Sequence, residues 1–120
     1  MAQARKLHDQ YFKQAKIDGY AARSAYKLKE INQKRAIIRR GDRVLDLGCA
    51  PGSWLQVASE LVGDRGIVVG LDLQVVDIIL APNVRAAQGD VFKTEPDALM
   101  ALAAGSSGAG KLFDLSLIHI

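Results

Sequence analysis

The sequence predicts an α/β fold in which a parallel sheet follows two helices. Apolar runs of strand length alternate with helical stretches, a glycine-rich turn joins the first run to a helix, and 49% of the 120 residues are hydrophobic. Strands that alternate with helices favour a parallel sheet with right-handed crossovers. With 24% charged residues and this length, we expect one globular domain at most.

The first 43 residues are predicted to form two helices. The first covers Asp9 to Ile17 and ends at Asp18-Gly19. Its apolar residues have helical spacing: Tyr11, Phe12, Ala15 and Ile17. Ser24 could cap the second helix, residues 25–34. Three apolar residues of that helix share a face: Ala25, Leu28 and Ile31.

The sheet is predicted to begin after a turn at Gly41-Asp42. Residues 43–47 form a buried strand, and residues 53–62 form a helix. Four side chains of that helix are expected to face inward: Trp54, Val57, Ala58 and Leu61. The later elements are a turn at 63–66, strands at 67–73 and 83–90, a helix from Pro96 to Ala104, a loop at 105–110 and a strand that begins within 111–118.

Positive charge is concentrated at the start of the chain. Residues 1–43 contain 12 basic and 4 acidic residues, a net charge of +8, whereas residues 44–120 contain 4 and 9, a net charge of −5. Such an asymmetry suggests a polyanionic partner at the basic end. A solvated helical surface is the alternative, and charge alone favours it.

Several classes of protein are disfavoured. No apolar run approaches the roughly 18 residues of a membrane span, and the basic start lacks the apolar core of a signal peptide. Cys49 is the single cysteine, so an internal disulfide is excluded. We expect it to be a small apolar residue of the core rather than a nucleophile. These features favour the cytoplasm, and we predict neither a membrane partner nor a metal site.

The turn in "VLDLGCAPGSW", residues 44–54, suggests a ligand site. Gly48 and Gly52 lie between the first predicted strand and its helix, and ligands of open parallel sheets bind at the carboxyl ends of strands. Glycine lets a ligand approach the main chain. The spacing is G-x-x-x-G rather than the G-x-G-x-x-G of a dinucleotide site, and Pro51 removes one amide that would bind a diphosphate.

Acidic residues occupy the ends of three consecutive predicted strands. Asp46 suits a cationic group, Asp72 can accept hydrogen bonds from ribose hydroxyls, and Asp90 can accept one from an exocyclic amine such as that of adenine. S-adenosylmethionine carries an ammonium, a ribose and an adenine. Each feature alone has a simpler explanation, namely a turn, a helix cap, or for Trp54 a core position. The ordered combination favours the cofactor.

These motifs resemble those of the FtsJ-type (RrmJ-type) ribosomal RNA 2′-O-methyltransferases. The resemblance covers about residues 5 to 114. It rests on four stretches: "GYAARSAYKLKEI" (19–31), "VLDLGCAPGSWLQVASE" (44–60), "GLDL" (70–73) and "QGDVF" (88–92). The resemblance implies the Rossmann-like class I fold of S-adenosylmethionine-dependent methyltransferases, and cofactor contacts at Gly52, Trp54, Asp72 and Asp90. It also implies ribosomal RNA of the large subunit as substrate.

The resemblance further implies that Lys27 is the first member of a Lys-Asp-Lys-Glu catalytic tetrad. A lysine can orient a ribose hydroxyl and stabilise the growing alkoxide, and in-line placement of the reacting atoms supplies much of the rate. Without the resemblance, Lys27 would be one of several surface lysines. Arg23 and Lys34-Arg35 are candidate phosphate contacts, which position RNA without reading its sequence.

The family pattern breaks after Asp114. Two or three apolar residues and then a Ser-Asp are expected, but the chain continues "LSLIHI", with His119 where the acid belongs. The codons CTG TCT CTT ATA CAC ATC encode these residues and match a transposon-end adapter used in sequencing libraries. We therefore expect a basic prefix (1–43), the cofactor-binding half of a C-terminally truncated domain (44–114) and a non-native tail (115–120), without methyltransferase activity on its own.

Three alternatives stay open. One is a hemolysin-like or other class I RNA methyltransferase with a different target nucleotide. Another is a non-catalytic RNA-binding module on the same fold, which the presence or absence of the later tetrad residues would distinguish. An NAD-dependent oxidoreductase is disfavoured by the glycine spacing.

Overall fold

Four parallel strands form a single sheet in the order β3-β2-β1-β4. The computed structural model describes residues 2–103 and 113–118. The strands are β1 (Arg43–Leu47), β2 (Ile67–Asp72), β3 (Val84–Gln88) and β4 (Leu115–Ile118). The predicted α/β fold with a parallel sheet is confirmed, and the bounds of the first strand agree with the prediction.

Helices precede the sheet and connect its strands. They are α1 (Ala2–Asp18), α2 (Ala25–Arg35), α3 (Ser53–Val62) and α4 (Pro96–Leu102). Pro96 occupies the first turn of α4, as predicted. Proline is tolerated there because a main-chain N–H in the first turn has no intrahelical acceptor, so its absence costs nothing. The predicted loop at 105–110 and His119 lie outside the described residues.

The core lies on both faces of β1 and β2. On one face Val44 and Val68 pack with Leu55 and Val57 of α3, and with Leu28 of α2. On the other face a smaller cluster contains Leu45, Ile67, Val69 and Ala103. Because a residue of α2 belongs to the main cluster, the basic prefix is part of the same packed unit.

The prediction for α1 was right about the helix and wrong about its apolar face. Only Ala15 is buried, whereas Tyr11, Phe12 and Ile17 are 43%, 50% and 77% exposed. Burial of an apolar stripe requires a packed neighbour along it. Within residues 2–103 and 113–118, no helix or strand makes extensive contact with α1.

The inward face of α3 was only partly predicted. Val57 and Ala58 are buried, but Trp54 and Leu61 are only half-buried. Leu55 and Val62, which were not predicted to face inward, are fully buried. The helix packs against β1 and β2 and also against α2, so its buried surface is wider than a single stripe.

Ser24 occupies the predicted N-cap position of α2 but makes no side-chain cap bond. Its hydroxyl instead lies 2.6 Å from the hydroxyl of Ser53 at the start of α3. Because the hydroxyl of Ser24 bonds another helix, it does not accept the hydrogen bond from a first-turn N–H of α2 that a capping side chain usually accepts.

Residues 113–118 lie beside the first strand. Asp114 exchanges two hydrogen bonds with the main chain of Arg43, through its own N–H and its carboxylate, both at 2.8 Å. The division of the chain at residues 43 and 114, and the non-native origin of 115–120, stay predictions.

Within the described ranges, none of the helices combines the length and the apolarity that crossing a bilayer requires.

Candidate active site

The turn after β1 is held against the end of β2. Gly48 donates its N–H to the carbonyl of Leu71 at 2.7 Å, and Cys49 donates to the same oxygen at 3.3 Å. Gly48 has φ of 78° and Gly52 has φ of 120°, values that favour glycine. A Cβ on Gly52 would lie 2.7 Å from Cδ1 of Ile78, so the Ile78 side chain would have to shift to admit one.

Asp72 connects the loops that follow two neighbouring strands. Its Oδ2 accepts a hydrogen bond from the N–H of Ala50 at 2.9 Å, and its Oδ1 accepts one from the N–H of Gln74 at 2.8 Å. The residue is half-buried. Its carboxylate therefore points towards the glycine turn rather than away from it.

Asp90 lies at the adjacent strand end. Gly89 donates its N–H to the main-chain carbonyl of Asp72 at 2.9 Å, which brings the ends of β2 and β3 together. The Oδ1 of Asp90 accepts a hydrogen bond from the N–H of Phe92 at 2.8 Å, and the residue is half-buried. The structure thus brings Asp72 and Asp90 to the same edge of the sheet.

Asp46 lies deeper than the other two acids. It is 0% exposed, in a strand flanked by Gly70 of β2 and Leu117 of β4. The carboxyl ends of β1, β2 and β3, with the glycine turn, Asp72 and Asp90, form what we call the rim. The position of Asp46 in the middle of the sheet places it beneath the turn rather than at the rim. Its predicted contact with a ligand stays a prediction.

Cys49, in the turn after β1, is buried. Burial, followed by the negative charges of Asp46 and Asp72, raises the pKa of its thiol to about 12. A thiol with this pKa is neutral and unreactive at physiological pH. These surroundings support the interpretation of Cys49 as a small apolar filler.

Apolar side chains surround the same strand ends and were not singled out in the sequence. Val76 and Ile78, from the segment after β2, lie over Gly52. Leu73, Val75, Ile79 and Phe92 are exposed nearby in sequence, after the ends of β2 and β3. The apolar run that follows Asp72 could have indicated this surface from the sequence, because a loop seldom exposes so many large apolar residues without a binding function.

Lys27 lies on the exposed side of α2, one turn after Ser24. Trp54 donates its indole N–H to the main-chain carbonyl of Ser24 at 2.8 Å. Lys27 donates its own main-chain N–H to the same carbonyl at 3.1 Å. Through Ser24, the predicted catalytic lysine is tied to the helix that follows the glycine turn.

Trp54 is half-buried and packs against the main core cluster. Its bond to Ser24 joins two helices, which explains a large amphipathic side chain at this position. Its contact with a cofactor stays a prediction.

Gln56 and Tyr20 attach the loop between α1 and α2 to α3. Gln56 accepts a hydrogen bond from the N–H of Ala21 at 2.8 Å and donates one to the carbonyl of Gly19 at 3.0 Å. The hydroxyl of Tyr20 donates to the carboxylate of Glu60 at 3.0–3.1 Å. Sequence reasoning missed these contacts because their partners lie 35–40 residues apart.

A family model described as FtsJ-like methyltransferase matches residues 20–118. The chain belongs to the FtsJ-like methyltransferase family. The match includes Lys27, the glycine turn and all three strand-end acids, which agrees with the resemblance drawn from the motifs.

Curated FtsJ-like relatives carry the name ribosomal RNA large subunit methyltransferase E. The protein of Methanothrix thermoacetophila is 54% identical over 102 residues, which are 85% of this chain and 38% of the relative. That of Desulfotalea psychrophila is 63% identical over 70 residues, 58% of this chain and 35% of the relative. The chain thus spans well under half of the length of these relatives.

A crystal structure of a Plasmodium falciparum protein, described as a ribosomal RNA methyltransferase, has the same FtsJ-like fold. It is 37% identical with a TM-score of 0.52, and the similarity covers 62% of this chain and 40% of that one. The predicted Rossmann-like methyltransferase fold is confirmed.

Proposed function

We propose that this chain is the cofactor-binding half and RNA-facing prefix of an S-adenosylmethionine-dependent methyltransferase. The proposed acceptor is a ribose 2′-hydroxyl of large-subunit ribosomal RNA, within the large ribosomal subunit. One observation carries the proposal: the hydrogen bond from Ala50 to the carboxylate of Asp72, which gives one rim both an acid and a close main-chain turn. The names of the curated relatives support the RNA substrate.

The residues at the rim fit the cofactor. Asp72 would accept hydrogen bonds from the ribose hydroxyls and Asp90 from the adenine amine. Each carboxylate oxygen can accept two hydrogen bonds, so the bonds from Ala50, Gln74 and Phe92 leave capacity for a ligand.

The remaining predicted contacts follow the same edge of the sheet. Gly48 and Gly52 would let the ligand lie against the main chain, since neither carries a side chain. At Gly52 this requires that Ile78, which lies over it, move aside. Trp54 would border the site, and Asp46 would contribute negative charge from below, which suits an ammonium and a sulfonium. When bound, the cofactor supplies an electrophilic methyl group.

Lys27 would act on the acceptor. Its ammonium would orient the ribose hydroxyl and stabilise the negative charge that develops on oxygen as the methyl group is transferred. The position of α2 against α3 supports this role, because Ser24 fixes the helix one turn before the lysine. An RNA substrate also agrees with the expected cytoplasmic location.

Calorimetry tests the cofactor. We expect S-adenosylhomocysteine to bind to the full chain and NAD to give no heat of binding. Asp72→Asn should weaken the binding of S-adenosylhomocysteine at least tenfold, whereas Asp77→Asn, a change at an exposed acid of the next loop, should leave it unchanged. Binding of NAD in preference to S-adenosylhomocysteine would overturn the proposal.

A transfer assay tests the expected inactivity of the 120-residue chain. The later members of the family's tetrad are not among these 120 residues, so we expect cofactor binding without transfer of labelled methyl to ribosomal RNA. Transfer by the 120-residue chain would contradict the assignment of essential roles to those later residues.

A further inference from the structure

A cavity of about 570 Å³ lies beside Lys27, lined by residues of α1 and α2. Its volume is in the range of pockets that hold small organic ligands. The predicted catalytic lysine is one of its lining residues, together with Tyr11, Arg23, Tyr26 and Lys29. The cavity therefore adjoins the place where the acceptor ribose would lie.

One wall of this cavity is aromatic. The rings of Tyr11 and Tyr26 have centroids 5.6 Å apart and planes inclined by 33°. Tyr26 is fixed by its hydroxyl, which donates to the carboxylate of Asp18, and by the ring of Tyr20, whose plane is at 88° to its own. Tyr11 keeps 43% of its surface exposed, so part of its ring is open to a ligand.

The rest of the cavity carries positive charge. Arg23, Lys27 and Lys29 all line it. Glu30 also lines the cavity and pairs with Lys34 at 3.0 Å, so the three cations outnumber the one carboxylate of the lining. The Nζ of Lys29 lies 4.6 Å from the ring centre of Tyr20 and 6.0 Å from that of Tyr26.

We propose that this cavity holds an unpaired nucleotide of the RNA substrate, next to the nucleotide that is methylated. Its base stacks on Tyr11, and its phosphate lies near Arg23 and Lys29. This inference rests on the proposed function, because it places the cavity beside an acceptor ribose at Lys27. It adds that the RNA must be single-stranded, or unstacked, at that position.

Physical chemistry favours this ligand over other anions. A stacking surface bordered by cations is the arrangement by which proteins bind single-stranded nucleic acid, since every base has a π-face and every nucleotide a phosphate. A paired base in a duplex has no free face to offer. An isolated phosphate would not need the exposed ring of Tyr11.

Fluorescence anisotropy with a labelled single-stranded RNA and a matched duplex tests the inference. Tyr11→Leu in the full chain should weaken binding of the single strand by about 5- to 100-fold, the range expected for loss of one stacked base. Tyr11→Phe should retain binding because it keeps the ring. Arg23→Gln should reduce the salt dependence of binding by about one phosphate contact.

Phe12→Leu is the matched control. Phe12 is the next residue of α1, is 50% exposed and does not line the cavity, and Lys16 lies over its ring. We expect this variant to bind RNA like the unmodified chain. The inference is overturned if both leucine variants lose binding equally, if neither loses binding, or if the unmodified chain prefers the duplex or binds no RNA.

Calorimetry on the same variants separates this inference from the proposed function. Tyr11→Leu should bind S-adenosylhomocysteine normally. An unmodified chain that binds S-adenosylhomocysteine but shows no dependence on Tyr11 would refute the nucleotide cavity alone. An unmodified chain that does not bind S-adenosylhomocysteine would refute the cofactor assignment.

Discussion

The carboxylate of Asp72 accepts a hydrogen bond from the main-chain N–H of Ala50 at 2.9 Å, across the gap between two neighbouring strand ends. The same carboxylate also accepts from Gln74, so it orders the turn before α3 and the segment after β2 together. A single side chain thereby shapes the rim at which the cofactor is proposed to bind.

Asp72→Asn should destabilise the fold as well as weaken cofactor binding. The amide offers one acceptor oxygen to two N–H donors, so one of them loses its partner and the free energy of unfolding should fall by about 1–3 kcal/mol. Urea denaturation measures the change. Asp77→Asn is the control, and an equal effect of the two substitutions would show that the bonds of Asp72 are unimportant.

Gly52→Ala should destabilise the chain more than Gly41→Ala. Both glycines have positive φ, 120° and 84°, but a Cβ on Gly41 meets nothing within 4 Å, whereas on Gly52 it would meet Ile78. We expect about 1–2 kcal/mol for Gly41→Ala and at least about 1 kcal/mol more for Gly52→Ala.

A double-mutant cycle separates crowding from backbone strain at Gly52. Ile78→Ala removes the atoms that lie closest to the added Cβ, so it should cost less in a Gly52→Ala background than in the unmodified chain. Strictly additive free energies would mean that the loop moves aside without a clash.

Cys49 should resist alkylation in the folded chain. Because burial raises the pKa of its thiol from 9.0 to about 12, the thiolate fraction near pH 8 falls by about a thousandfold. The rate of reaction with iodoacetamide should be normal in 8 M urea and at least about a thousandfold lower without it. Rapid alkylation of the native chain would contradict the burial of Cys49.

The same thiol predicts a loss of stability at high pH. Its folded pKa of about 12 exceeds the unfolded value of 9.0, so its contribution is complete below pH 9 and is lost as pH rises towards 12. Cys49→Ala should flatten the pH dependence of the free energy of unfolding between pH 9 and 10. Above pH 10 a slope should remain, because burial also raises the pKa values of Tyr20 and Tyr26.

Gln56→Ala should loosen the N-terminal prefix. It removes the acceptor for the partly buried N–H of Ala21 and the donor for the exposed carbonyl of Gly19. The expected cost is about 1–3 kcal/mol, mainly from the N–H of Ala21 that loses its partner. Hydrogen exchange at the amide of Ala21 should accelerate. Gln10→Ala, at an exposed position of α1, is the control, and unchanged exchange at Ala21 would show that other contacts hold the loop.

Local sequence patterns predicted several secondary-structure elements and the family of this protein. The strand at residues 43–47 and the helix at 53–62 were predicted with the bounds that the structure shows, because an apolar run, a glycine turn and an apolar helix succeed each other there. The motif stretches also predicted the family. Periodicity and turn chemistry act over a few residues, which is why sequence alone reveals them.

The amino-acid sequence by itself determined the succession of strands and helices, the glycine turn and the membership of the FtsJ-like family. Only the tertiary structure decided that Asp46 is enclosed while Asp72 reaches the turn, that Ser24 bonds Ser53 instead of capping its helix, and that Tyr11 borders a cavity with Lys27. The physical reason is that burial and long-range hydrogen bonds depend on which distant segments pack together, and no local pattern contains that information.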